Sequence, residues 1–161
     1  MFVIGKSKTP RCFKNVTSLP CRYRSQQKSW KDSTLFEEWV REINRKFQRE
    51  NRKIAMIIDN FPAHPDVPET SNVTLIFLPP NTKSVSQPMD QGVIKCLETF
   101  YRRCLVKLMI RCLDQGKDLP KISILRGTEL LFSSWEDVSK ETVVNCFRKA
   151  KISAEDQIDA V

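Results

Sequence analysis

The chain has 161 residues, of which 40% are hydrophobic and 29% charged, and a formal net charge of +8. That length fits one domain of ordinary globular composition. No apolar run approaches the roughly 18 residues of a membrane span, and the start of the chain is too short and too soon charged for a signal peptide, so no membrane partner and an intracellular protein are expected.

In chain order, Phe2 to Gly5 reads as the end of a strand. A basic loop with Pro10 and Pro20 follows, through about Trp30, and shows no clear period. Thr34-Leu35-Phe36-Glu37 is a capping-box pattern. Leu35, Phe36, Trp39, Val40, Ile43 and Phe47 then recur at three- and four-residue spacing, which predicts an amphipathic helix over 34–50. Residues 54–58 form a short continuous apolar run, as in a strand buried on both faces, and 73–78 form a second. Pro62, Pro65 and Pro68 forbid a long helix between them. A long helix is expected from about Asp90 to Gln115. Ile94, Leu97, Tyr101, Leu105, Leu108 and Cys112 fall on one face, Lys95, Arg102, Arg103, Lys107 and Arg111 on the other, and Gly116 follows as a C-cap. Residues 119–132 read as helical. Ser133 to Glu136 offers another capping box, with a helix to about Lys151. The acidic residues 153–161 form a tail, leaving 1–152 as the domain.

Charge is unevenly spread. Residues 1–53 carry 14 Lys/Arg against 5 Asp/Glu, 54–94 carry 1 against 4, 95–126 carry 8 against 3, and 127–161 carry 4 against 7. An acidic centre between basic flanks suits a protein whose flanks meet phosphates while its centre holds a cation, or simply a basic, soluble surface. None of the six cysteines forms a Cys-x-x-Cys pair, and the one histidine, His64, has no cysteine nearby in sequence. A zinc site is not expected, and the thiols read as small buried apolar residues.

Asp59 stands where the first apolar run gives out and Asp90 near the start of the long helix. Carboxylates gathered at a strand edge repel each other unless a cation lies between them. Magnesium prefers such hard oxygen ligands, and paired ions support phosphodiester cleavage. Taken alone, either aspartate could be a turn residue or a helix-terminal charge.

The surrounding motifs carry more weight. Met56-Ile57-Ile58-Asp59-Asn60-Phe61-Pro62-Ala63-His64 resembles the Leu-Ile-Asp-Asn-x-Pro-Ala-His signature of pogo/Tigger-type transposases. That group includes Tigger transposable-element-derived, jerky-like and centromere-protein-B-like host proteins. Leu78 to Thr82 and Gln87 to Ile94 resemble the next two signatures in the right order, and Phe2 to Lys8 and Ser134 to Val138 also fit. The resemblance implies a DDE superfamily endonuclease domain with a ribonuclease-H-like α/β fold. Mg²⁺ or Mn²⁺ would be held by Asp59 and Asp90 as second and third catalytic carboxylates, and a nuclear, DNA-binding protein is implied. The group's first aspartate lies on a strand ahead of the segment matching Phe2 to Lys6, and Asp32 lies in the wrong segment. The expectation is therefore an incomplete fold with the first strand or strands missing, a helix-rich C-terminal half, at most three strands, an exposed edge and marginal stability. Functionally it implies a domesticated or decayed transposase-derived domain that binds nucleic acid and is not independently catalytic. The alternatives are an active endonuclease, if an upstream strand supplies the first Asp, and a non-catalytic interaction module.

Other residues admit two readings each. Asn60 could hold metal or phosphate, or stabilise a turn. His64 could orient a metal-bound water or touch a phosphate, with loop packing and a backbone hydrogen bond the plainer role. Asn81 and Gln87 could contact nucleic acid or bond within loops. Arg102, Arg103, Lys107 and Arg111 could follow a DNA backbone or form a solvated face. Trp39 and Trp135 read as core anchors, and Trp30 as an anchor or a base-stacking residue.

Overall fold

The computed structural model describes residues 1–26, 33–61, 64–80 and 86–152. The chain divides into two compact units: Met1–Ser29 with Gly92–Cys146, and Trp30–Gln91 with Phe147–Val161. Asp32, Trp30, Asn81 and the 153–161 tail lie outside the described residues. No described helix is long and apolar enough to cross a membrane.

The second unit is built on α1 (Ser33–Arg49), β3 (Ile54–Ile58) and β4 (Val73–Phe77). The predicted helix is present, although Thr34 lies inside it rather than capping it. β3 and β4 pair in parallel, Ile54 opposite Val73 through Ile58 opposite Phe77. The apolar stripe of α1 covers one face of this pair. Val40, Val67 and Val73 are buried there, with Phe36, Trp39, Ile43, Ile54, Met56 and Leu75 packed around them. The other face is less covered: Ala55, Thr74 and Ile76 are exposed, and Ile57 is half-buried. Burial on both faces was expected of β3, and the structure corrects this. An unbroken apolar run does not say how many layers cover it.

Asn44, one turn beyond Val40 on α1, is also buried. Its Oδ1 accepts the backbone N–H of Asn72 at 2.8 Å, and Asn72 Nδ2 donates to the Arg52 carbonyl at 2.8 Å. The Ile54 N–H donates to the Asn72 carbonyl at 2.9 Å. One asparagine thus ties the start of β4 to the helix, and the next ties it to the turn leading into β3.

The first unit contains β1 (Phe2–Gly5) and β2 (Arg22–Ser25), which also pair in parallel. β2 lies in the stretch expected to be a loop and brings the strands among the described residues to four, in two pairs, against the expected three at most. Its sequence, Arg-Tyr-Arg-Ser, has no apolar alternation to reveal it. It is held instead through long side chains. The Arg22 guanidinium lies 5.6 Å from the Phe2 ring centre, Tyr23 meets Phe13 edge-on at 4.9 Å, and the Tyr23 hydroxyl donates to the Ser7 carbonyl at 2.7 Å.

The long predicted helix is divided. Met89–Val93 forms one wide π-type turn, and α2 begins only at Ile94, running to Asp114. Gly92 interrupts them with φ of 152°. α2 ends in a Schellman motif: Gly116 has φ 64°, its N–H bonds to Leu113, and the Lys117 N–H bonds to Cys112, each at 2.9 Å. The expected cap at Gly116 is therefore present. α3 spans Ile124–Glu136, capped by Ser123, and α4 spans Lys140–Lys149 after Ser139, whose Oγ accepts the Thr142 N–H at 3.1 Å. The expected break at Ser133 does not occur. Ser134 lies inside α3, fully buried, and its hydroxyl donates to the Leu130 carbonyl at 2.7 Å, which lets a polar side chain sit in a helix interior. All six cysteines are free thiols; Cys146 is buried and the other five half-buried, so the reading as buried thiols holds for one of them.

Candidate functional site

Asp59 owes its place to the end of β3. The Ile58 carbonyl accepts the Leu78 N–H at 2.8 Å, so the pairing extends one step beyond β4 and fixes the backbone where Asp59 leaves the sheet. The Asp59 side chain is 15% exposed, and its Oδ1 lies 2.8 Å from His64 Nδ1. The His64 N–H donates to the Phe61 carbonyl at 2.8 Å. The imidazole is stacked on Phe36 of α1, with centroids 4.5 Å apart and planes 29° apart, and meets the Phe61 ring at 5.5 Å. His64 was expected to pack in its loop with a backbone partner. It does approach the Asp59 carbonyl, at 3.4 Å, but its closer partner is the carboxylate. That pairing, and the part played by Phe36 and Phe61, went unread in the sequence. The Asp-x4-His spacing was the available signal.

Asp90 belongs to the same unit and is exposed. Its N–H bonds to the Gln87 carbonyl at 3.0 Å, and the Gln91 N–H to Pro88 at 3.1 Å. Because Gly92 breaks the path to α2, Asp90 sits in a turn before the helix and not in its first turn, which holds no acidic residue. Asn60 is exposed. Gln87 is half-buried, and its Oε1 has no hydrogen-bond partner among the described residues.

The basic stripe of α2 belongs to the first unit. Arg102, Arg103, Lys107 and Arg111 are all exposed, as expected. Arg102 pairs with Glu98 at 3.1 Å, and Arg103 lies over the Phe100 ring at 5.4 Å. The same helix exposes Val106, Ile110 and Leu113, so its outer side is not uniformly basic.

Asp59 and Asp90 are hard oxygen donors of the kind Mg²⁺ or Mn²⁺ takes, and hydrogen bonding of a ligating carboxylate by a neighbouring side chain is usual at metal centres. They fit in kind and fall short in number. Among the described residues, no three His, Cys, Asp or Glu side chains come together as a metal-holding group.

Residues 1–147 match the model of the DDE superfamily endonuclease family. The chain is 35% identical over 93% of its length to Tigger transposable element-derived protein 4 of Mus musculus, of which it covers 29%. It is 30% identical over 91% of its length to ARS-binding protein 1 of Schizosaccharomyces pombe, covering 30% of that protein. It is 37% identical over 56% of its length to the human Jerky protein homolog, covering 18% of it. The chain therefore spans less than a third of each of these relatives. No solved structure matches it. The ordered motifs around Asp59 and Asp90, the mixed helix-and-strand architecture and these relatives agree: the chain belongs to the DDE superfamily endonuclease family, in its pogo/Tigger-type branch.

Proposed function

We propose that this chain is a transposase-derived domain that binds duplex DNA through its phosphate backbone and does not cleave it unaided. The observation that carries this is the division of charge. The first unit holds 16 Lys/Arg against 7 Asp/Glu, the second 11 against 12. All of the excess positive charge thus belongs to the first unit, and its Met1–Ser29 segment has seven basic residues and no acidic one. Lys6, Lys8, Arg11 and Lys14 are exposed there. The name of ARS-binding protein 1 is in keeping with a binding role, and a nuclear location belongs to the same proposal.

The fold in this reading is a ribonuclease-H-like arrangement whose sheet is incomplete in this segment, since β3 has β4 as its only partner among the described strands. Asp59 and Asp90 would hold the family's Mg²⁺ or Mn²⁺, which supplies Lewis-acid assistance to phosphodiester cleavage when bound. What the chain itself contributes is a carboxylate fixed at a strand end and another on a turn. A third acidic ligand would have to join them before cleavage, which is why the segment acts as a binder.

The test is DNA binding by fluorescence anisotropy across a salt series. The logarithm of affinity should fall linearly with the logarithm of salt, by about 0.9 per phosphate neutralised. Combining Lys6→Glu, Lys8→Glu and Arg11→Glu should flatten the slope by about 3. A slope near zero would defeat the proposal. Asp59-dependent nicking of supercoiled plasmid by the 161-residue chain with Mn²⁺ would defeat its non-catalytic half.

A further inference from the structure

We propose that His64 is the positioning residue of the Asp59 carboxylate, and that Phe36 of α1 sets the plane in which it acts. The inference rests on the reading of Asp59 as a metal-ligating carboxylate and extends it to residues that reading leaves without a role.

An ionised carboxylate only accepts hydrogen bonds. At 2.8 Å, Nδ1 must therefore carry the proton that bridges to Asp59 Oδ1, in the neutral ring as in the charged one. In the neutral ring this leaves Nε2 as the bare nitrogen. The imidazole cannot swing away cheaply. Phe36 stacks against it at 4.5 Å, Phe61 meets it at 5.5 Å, and the His64 N–H is held by the Phe61 carbonyl at 2.8 Å. The loop brings the donor, the helix fixes its plane, and the strand fixes the acceptor, so Asp59 is oriented by three separate parts of one unit. Hydrogen bonds to ligating carboxylates commonly change metal affinity by about 10–100-fold when removed, because they hold the oxygen where the ion needs it.

His64 is the only histidine in the 161 residues, so one imidazole ¹⁵N spectrum of the chain reports on it alone. Recorded at alkaline pH, it should show the proton on Nδ1 and a bare Nε2. In Asp59→Ala only the distant backbone carbonyl of residue 59, 3.4 Å from Nδ1, remains as an acceptor, and most of the proton population should move to Nε2, the usual preference of an imidazole with no close acceptor at Nδ1. A native ring protonated on Nε2, or a pattern unchanged by Asp59→Ala, overturns the proposal.

The second measurement is Mn²⁺ affinity, read by electron paramagnetic resonance of the free ion. His64→Ala should weaken it about 10–100-fold. His64→Asn, whose amide nitrogen stands near the place of Nδ1, should recover most of the loss, while His64→Gln, which reaches to the place of Nε2, should not. Equal affinities in all three variants and the native chain would remove the positioning role. An intact Nδ1 signature with Mn²⁺ affinity indifferent to Asp59→Asn would instead overturn the metal assignment. A lost signature with Asp59-dependent Mn²⁺ binding would overturn the positioning role alone.

Discussion

Asn44→Ala is expected to destabilise the second unit by about 1–2 kcal/mol, the lower part of the range for a polar group left without its partner. Asn44 is 8% exposed, and its Oδ1 is the acceptor for the Asn72 backbone N–H at 2.8 Å. Truncation removes the acceptor and leaves that N–H beneath α1. Asn72 is only half-buried, so water can relieve part of the cost, which excludes the upper end of the range. Asn72→Ala, by contrast, removes two exposed bonds, from Asn72 Nδ2 to the Arg52 carbonyl and from the Ser71 hydroxyl to Asn72 Oδ1, and should cost about 0.5–1.5 kcal/mol. The two changes touch neighbouring bonds of one network, so the double variant should depart from additivity. Urea denaturation gives the size of the loss, and hydrogen exchange of the Asn72 amide locates it: protection there should fall in Asn44→Ala. A cost below about 0.5 kcal/mol, the range of an ordinary surface change, would refute the reasoning. So would unchanged protection at Asn72. The consequence reaches the candidate site, because the pairing that begins at Asn72 is the one that ends by fixing Ile58 and delivering Asp59.

Gly92→Ala should cost about 1–3 kcal/mol, because φ of 152° is unfavourable for any L side chain and the added Cβ would lie 3.1 Å from Cys146 Sγ; denaturation midpoints test this. Gln87→Leu should leave stability unchanged or raise it, since Gln87 Oε1 is buried without a partner among the described residues; a loss above about 1 kcal/mol would show that the amide has one. Stability should also decline at alkaline pH. Burial pushes the Cys21 thiol up, against the opposing hydrogen bond from Thr128 and the positive N-terminus, and burial followed by the nearby Cys12 pushes the Tyr23 hydroxyl up. Groups raised in the folded state hold their protons more tightly there than in the unfolded chain. Their contribution is complete below the ordinary values of 9.0 and 10.0 and is lost as pH rises through the folded ones. Chemical denaturation between about pH 8 and 11 should show the fall, and its absence in the double variant Cys21→Ala, Tyr23→Phe would confirm the source.

Legibility followed physical pattern. α1, β3 and β4 were readable because periodicity and apolar runs mark elements that bury one stripe against a core, and α1 does so through Phe36, Trp39, Val40 and Ile43. β2 was hidden because its stabilising contacts are a guanidinium over a ring and a tyrosine edge, and neither leaves a period-two signal. The start of α2 was misjudged because glycine can end one turn and begin another at a positive φ without disturbing the hydrophobic spacing on either side. At the site, motifs placed Asp59 and Asp90, and they could not say that a ring from α1 would lie against His64. That contact joins residues far apart in sequence, and no local pattern encodes it. Gly116 was readable because a Schellman cap is a local device, complete within the few residues that form it.

If the chain binds both DNA and a metal ion, as proposed, the two are separable. Phosphates repel carboxylates as well as attracting lysines, so any duplex held near Asp59 and Asp90 without a cation must be held by charge elsewhere. The acid-free Met1–Ser29 segment is the richest source of such charge in the chain. Two unit charges 4 Å apart interact by about 1 kcal/mol in water and more near a protein surface. Neutralising both carboxylates, in Asp59→Asn with Asp90→Asn, should therefore tighten DNA binding in EDTA by roughly three- to tenfold at low salt, and the gain should shrink as salt is raised. With saturating Mn²⁺ the order should reverse, because only the native chain would hold a bridging cation. Anisotropy titrations in the two buffers measure both effects. If the double variant binds DNA as the native chain does in EDTA and in Mn²⁺, the duplex does not pass near these carboxylates. The basic segment would then be a binding surface unrelated to the candidate metal site.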